Sequence, residues 1–103
     1  MVRVRVLDHV EHASTYEDGE VIFSLLAPAV KANLQVELSF DGISAVPSAF
    51  VNATIVRLLE VAPLHVLQNS IRIVDSTRQI NEIVRWRVRF ASGRSQRGPS
   101  DES

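Results

Sequence analysis

Strict alternation opens the chain. Val2-Arg3-Val4-Arg5-Val6 places valines on one side and arginines on the other, the pattern of a half-buried strand. A polar, irregular stretch from 8 to 18 follows as a loop. Val21, Ile22, Leu25, Leu26, Ala29 and Val30 then recur at helical spacing. Asp18 and Glu20 stand where a helix start favours anions, and Lys31 and Asn33 where a helix ends. Pro28 lies inside this helix and is expected to kink or split it. Alternation returns at Leu34-Gln35-Val36-Glu37-Leu38-Ser39-Phe40, a strand with Leu34, Val36, Leu38 and Phe40 on one face. Asp41-Gly42 is a turn signal, and Pro47 precedes Ser48, a fitting N-cap. Val51, Ile55, Leu58, Leu59 and Ala62 form the apolar face of a second helix, with Phe50 beside it, and Pro63 ends it. Residues 64–69 read as a short connector with room for a helical turn.

Ser70-Ile71-Arg72-Ile73-Val74 is the third strand. Ser76 and Gln79 match a capping box, which starts a last helix near Ser76 with Ile80, Ile83, Val84 and Ala91 on its apolar side. Two periods compete over 84–90, because Val84-Arg85-Trp86-Arg87-Val88-Arg89-Phe90 also alternates as a strand would. The cap and first turns favour the helix. On it, Arg87 falls within the apolar arc and must snorkel, while Trp86 is read as core. Residues 92–103 lack any large apolar side chain and read as a disordered polar tail. The order strand, helix, strand, helix, strand, helix specifies a single α/β domain over 1–91, with a small mixed or parallel sheet flanked by helices.

Composition narrows the chemistry. The 103 residues include no cysteine, which excludes disulfide frameworks, thiolate metal sites and cysteine nucleophiles. Four glycines, at 19, 42, 93 and 98, assemble neither a Walker loop nor a dinucleotide fingerprint. No apolar run approaches a membrane span, and the first residues do not resemble a signal peptide, so a cytoplasmic location is expected. Asp8-His9-Val10-Glu11-His12 crowds four ligand types into five residues but matches no zincin spacing, and reads as a solvated loop. His65 has no acid or nucleophile beside it. Ser48, a histidine and Asp41 or Asp75 make no recognisable triad, since a nucleophile-elbow sequence is missing. Asn52-Ala53-Thr54 is a glycosylation sequon by letters alone. No metal, cofactor or catalytic residue is expected.

Formal charge is −1, yet ten of the 11 basic residues are arginine. Five of them, Arg85, Arg87, Arg89, Arg94 and Arg97, fall near the C-terminal end. On a helix Arg78, Arg85 and Arg89 share a face with Glu82 between them. That strip is read first as a solvated face, and second as an anion or nucleic-acid contact that Arg94 and Arg97 extend.

The segment 34–53 carries a further signal. A strand ends in Phe40-Asp41-Gly42; Ile43-Ser44-Ala45-Val46 follows; then a serine-bearing turn, Pro47-Ser48-Ala49, places Phe50 at a helix start. This pattern resembles the STAS-like domain family of unknown function, a relative of anti-sigma factor antagonists. The preceding Glu17-Asp18-Gly19-Glu20 with Leu25-Leu26 is similar to the family's first helix. The segment Ser70-Ile71-Arg72-Ile73-Val74-Asp75, with Ile80 and Ile83-Val84, is similar to its last strand and helix. The resemblance implies a non-enzymatic regulatory module that acts by binding a protein, a histidine-kinase-like ATPase or an anti-sigma-type regulator. In the antagonists a serine in an Asp-Ser-Ser-Gly motif is phosphorylated at a helix start, where the helix dipole favours the added charge. Here the matching residues are Pro47-Ser48-Ala49-Phe50, so the usual acceptor position holds Ala49 and Ser48 stands one place earlier. The resemblance makes Ser48 the phosphoacceptor candidate and gives a partner surface of Asp41, Gly42, Ser44, Pro47, Ala49 and Asn52. A homodimer through the edge of the first strand, guarded by Arg3 and Arg5, is a further expectation.

Overall fold

The computed structural model describes residues 2–96. Three strands, β1 (Val2–Arg5), β2 (Val36–Ser39) and β3 (Ile71–Val74), form one parallel sheet in the order β1-β2-β3. Register pairs Val4 with Leu38 and Leu38 with Ile73. These side chains, with the row Val2, Val36 and Ile71, meet the core. The intervening row, Arg3 beside Glu37 beside Arg72, lies on the opposite face. Parallel sheets are usually covered on both sides. Here Arg3 and Arg72 are exposed, and the Arg3–Glu37 ion pair at 2.9 Å suits that face to water.

Helix α1 (Tyr16–Lys31) connects β1 to β2. Thr15 caps it: its hydroxyl accepts from the Asp18 N–H at 3.0 Å, and Asp18 Oδ2 accepts from the Thr15 and Ser14 N–H groups at 3.2 Å each. Its signal in the sequence is the T-x-x-D spacing of Thr15 and Asp18. Pro28 does not split α1, which runs unbroken to Lys31. Both Pro28 and Ser24, whose carbonyl loses its N–H partner, are exposed, so water can serve that carbonyl. Asn33 then takes φ 60, its N–H bonding the Val30 carbonyl and that of Leu34 the Ala29 carbonyl. This Schellman closure keeps Leu34 out of β2 and 47% exposed, so the buried face of the strand begins at Val36.

The Asp18 carboxyl shows how local bonding sets stability. Partial burial pushes it up, but the Ser14 and Thr15 hydrogen bonds, with nearby His12, outweigh that and hold it below the usual value. A carboxylate depressed in the folded state contributes stability above its unfolded pKa and loses it as pH falls through the folded one. Urea titrations should therefore show wild type more stable than Asp18→Asn at pH 7, with the gap closing as pH drops below about 4. A gap independent of pH would refute this role.

Between β2 and β3 the chain forms α2 (Ser48–Thr54), a 3₁₀ stretch (Val56–Glu60) and α3 (Leu64–Ser70). The single long second helix expected from the apolar pattern is thus divided. Thr54 is buried, and its hydroxyl donates to the Phe50 carbonyl at 2.9 Å, a back-bond that bends helices. Pro63 N-caps α3, so the expected connector is a two-turn helix. Helix α4 (Arg78–Gln96) is helical throughout 84–90. It passes the expected boundary at 91 by five residues, and 97–103 lie outside the described residues. Its start differs too: Thr77, not Ser76, accepts from the Ile80 N–H at 3.3 Å, and Gln79 is engaged elsewhere. No single helix among the described residues is long and apolar enough to cross a membrane.

Candidate functional site

The β2–α2 loop turns on Phe40-Asp41-Gly42-Ile43. The Ile43 N–H bonds the Phe40 carbonyl at 2.9 Å, and Gly42 adopts φ 87, which a turn of this kind asks of its third residue. Asp41 is held at its base. Arg5 bridges Asp41 at 3.3 Å and Asp8 at 2.9 Å, and these two carboxylates hold the guanidinium above its ordinary pKa. Behind them, fully buried Ser39 donates to Asp75 Oδ2 at 2.8 Å and accepts from the Asp41 N–H at 3.2 Å. Asp75, at φ 54, also pairs with Arg3 at 2.9 Å. The strand ends therefore carry a connected network of ion pairs and hydrogen bonds. Asp8 serves it, and His9, Glu11 and His12 are exposed. No group of three or more metal-ligating side chains forms among the described residues.

The next stretch is tied to α4. The Ser44 carbonyl accepts from the Thr77 hydroxyl at 2.7 Å. The Gln79 amide clamps Val46 from both sides, accepting from its N–H at 3.0 Å and donating to its carbonyl at 3.1 Å. This is where the glutamine of the expected capping box goes, because a paired bond to a loop backbone outcompetes a local one. Pro47 is the residue preceding α2, with φ −83 and ψ 165, and makes no side-chain cap. Ser48 is consequently the first helical residue rather than the N-cap. It is half-buried, between exposed Pro47 and exposed Ala49.

One turn on, α2 and α4 meet through Asn52. Its Oδ1 accepts from Arg87 Nε at 3.0 Å. The same guanidinium lies 5.1 Å from the Trp86 ring centroid and 5.4 Å from that of Phe90. The two rings stack at 6.0 Å with 16° between planes. They are the surprise of the surface: Trp86 is 59% exposed and Phe90 46%. Trp86 is therefore not core. Helix α4 buries Ile80 and Val84, and a residue two positions from Val84 points well away from that stripe. The i,i+4 aromatic spacing off the Ile80–Val84 stripe was the available sequence signal.

The predicted partner residues thus separate into Asp41 and Gly42 at the strand-end network, Ser44 and Pro47 on the loop fastened to α4, and Ser48, Ala49 and Asn52 on α2. Asn52 adjoins the aromatic pair. Of the arginines, Arg78 pairs with Glu82 at 3.3 Å, Arg85 and Arg89 lie beside an apolar groove, and Arg94 falls in the last turns of α4. Arg97 lies outside the described residues.

No curated protein and no solved structure matches the chain. A family model does match, over residues 18–81, from the first turn of α1 to the first turn of α4. That span holds two of the three strands, the β2–α2 loop and the Ser48 turn, and it exceeds half of the chain. The α/β architecture and this match together show that the chain belongs to the family of the STAS-like domain of unknown function (DUF4325).

Proposed function

We propose that this chain is a non-enzymatic regulatory module that binds a partner protein through the face formed by α2 and the aromatic flank of α4. The exposed Trp86–Phe90 stack, with Arg87 bonded to Asn52, is the observation that carries the reading. Tryptophan and arginine dominate binding hot spots, because a large rigid ring and a planar cation lose little freedom when covered. Exposed side by side, they expend apolar area on water that a partner would recover. The resemblance to anti-sigma factor antagonists supports a histidine-kinase-like ATPase or anti-sigma-type regulator as the partner. Ser48, beside this face and capping nothing, is where an added charge would act. Against the second reading, a nucleic-acid contact, Glu82 occupies Arg78 and interrupts the basic strip.

The test begins with affinity purification from the source cells and measurement of the Kd of the protein retained. Trp86→Ala should weaken binding at least about thirtyfold while leaving Tm nearly unchanged. Ser48→Asp should alter affinity in the same assay. If wild type retains no specific partner, or Trp86→Ala binds as wild type does, the reading is wrong.

A further inference from the structure

The sheet ends abruptly on one side. β3 is an edge strand, and no strand pairs with its outer side among the described residues. An apolar groove of about 310 Å³ runs beside it, between α3 and α4. Ile71 and Ile73 of β3, Ile55, Leu67 of α3, and Val84 and Val88 of α4 are among its lining. Ile71 and Ile73 continue the rows in which Val36 and Leu38 of β2 are buried, yet both remain only half-buried. A strand added beyond β3, about 4.8 Å away, would send alternate side chains over this groove and complete the rows. Edge strands with an apolar flank are templates for such addition.

Charge selects the occupant. Arg85 lines the groove, and Arg72 stands on β3 itself. Neither has an ion-pair partner among the described residues. A two-fold pairing of β3 with β3 of a second copy would place like patch against like patch, arginines facing arginines. We propose that the groove along the outer edge of β3 receives an extended, acidic and apolar peptide segment of a partner protein, which adds as a fourth strand. Its groove-facing side chains enter between Ile73 and Val88 with a carboxylate meeting Arg85, and the carboxylates that alternate with them meet Arg72 on the opposite face of the sheet. This surface lies across α4 from Trp86, so the two sites stand or fall separately.

A phage-displayed library of random dodecapeptides, selected against the full chain, tests this. Recovered peptides should alternate Asp or Glu with apolar residues. In NMR they should shift the methyls of Ile71, Ile73, Val84 and Val88 and show strand-type contacts to the β3 amides. Arg85→Glu should cost about tenfold in affinity, high salt should weaken binding, and Trp86→Ala should change nothing. Val88→Asp, on a half-buried position, gives a second variant whose folding is checked by circular dichroism. The proposal is overturned if no peptide maps to the groove, if the peptides that do are basic or bind as helices, or if sedimentation shows the groove covered by a second copy.

Discussion

Phe50→Ala should lower the unfolding free energy by about 3–5 kcal/mol. Phe50 is fully buried at the start of α2, and its ring meets Phe40 edge-on at 6.4 Å. Phe40 is fully buried as well, immediately after β2. The pair therefore joins sheet to helix beneath the loop that carries Asp41, Gly42 and Ser44. Removing one ring loses its transfer energy and leaves a cavity that a helix with paired backbone cannot close. A domain of this size has roughly 5–15 kcal/mol in hand, so the variant sits near its unfolding threshold at 25 °C. Chemical denaturation measures the loss. A drop below about 1 kcal/mol would show that the loop and α2 collapse into the space, and that the ring pair does not anchor them.

Gly19→Val should cost about 3 kcal/mol, at the upper end for overpacking. Glycine inside a helix is normally a liability of about 1 kcal/mol relative to alanine. At Gly19 the sign reverses. A Cβ there would lie 2.6 Å from the Ala53 Cβ and 2.7 Å from the Phe50 carbonyl oxygen. That oxygen cannot retreat easily, since the Thr54 hydroxyl also bonds it at 2.9 Å. Gly19 is thus the point where α1 lies directly on the α2 backbone. A valine would push the helices apart and tilt the Ser48–Asn52 turn, so partner binding should weaken along with stability. Ala53→Gly in the same chain should recover part of the loss in a double-mutant cycle, because it relieves one of the two contacts. Additivity of the two substitutions would mean that the helices do not touch there as described.

Both residues were visible in the sequence, and neither was legible as critical. The sequence pattern sets Phe50 beside the apolar face of its helix and Gly19 among the acids of a helix start. A close approach of two helices depends on which residue of one meets which residue of the other. No local pattern encodes that. The same holds for Gln79, whose correct spacing for a cap was overridden by a loop 33 residues away in sequence. Trp86 shows the reverse case. Its exposure follows from the helical period once 84–90 is known to be helix, and the ambiguity between two periods concealed it.

Much was decided by sequence alone. Alternation of charge with valine yields β1 facing the core on one side, and the alternation through Val36 and Leu38 yields β2. Order of elements gives an α/β sheet, and the 34–53 pattern points to the STAS-like family. These are short-range consequences of side-chain period and turn chemistry, which each segment carries by itself. Tertiary structure decided the rest: that among the described residues the sheet is wholly parallel and ends at β3, that Asp8 and Asp41 share Arg5, and that Arg87 reaches Asn52 from another helix. The groove beside β3 exists only because distant segments pack and, among the described residues, leave that face uncovered. A sequence specifies which residues seek burial, but the area left over once the core is filled is a property of the whole fold.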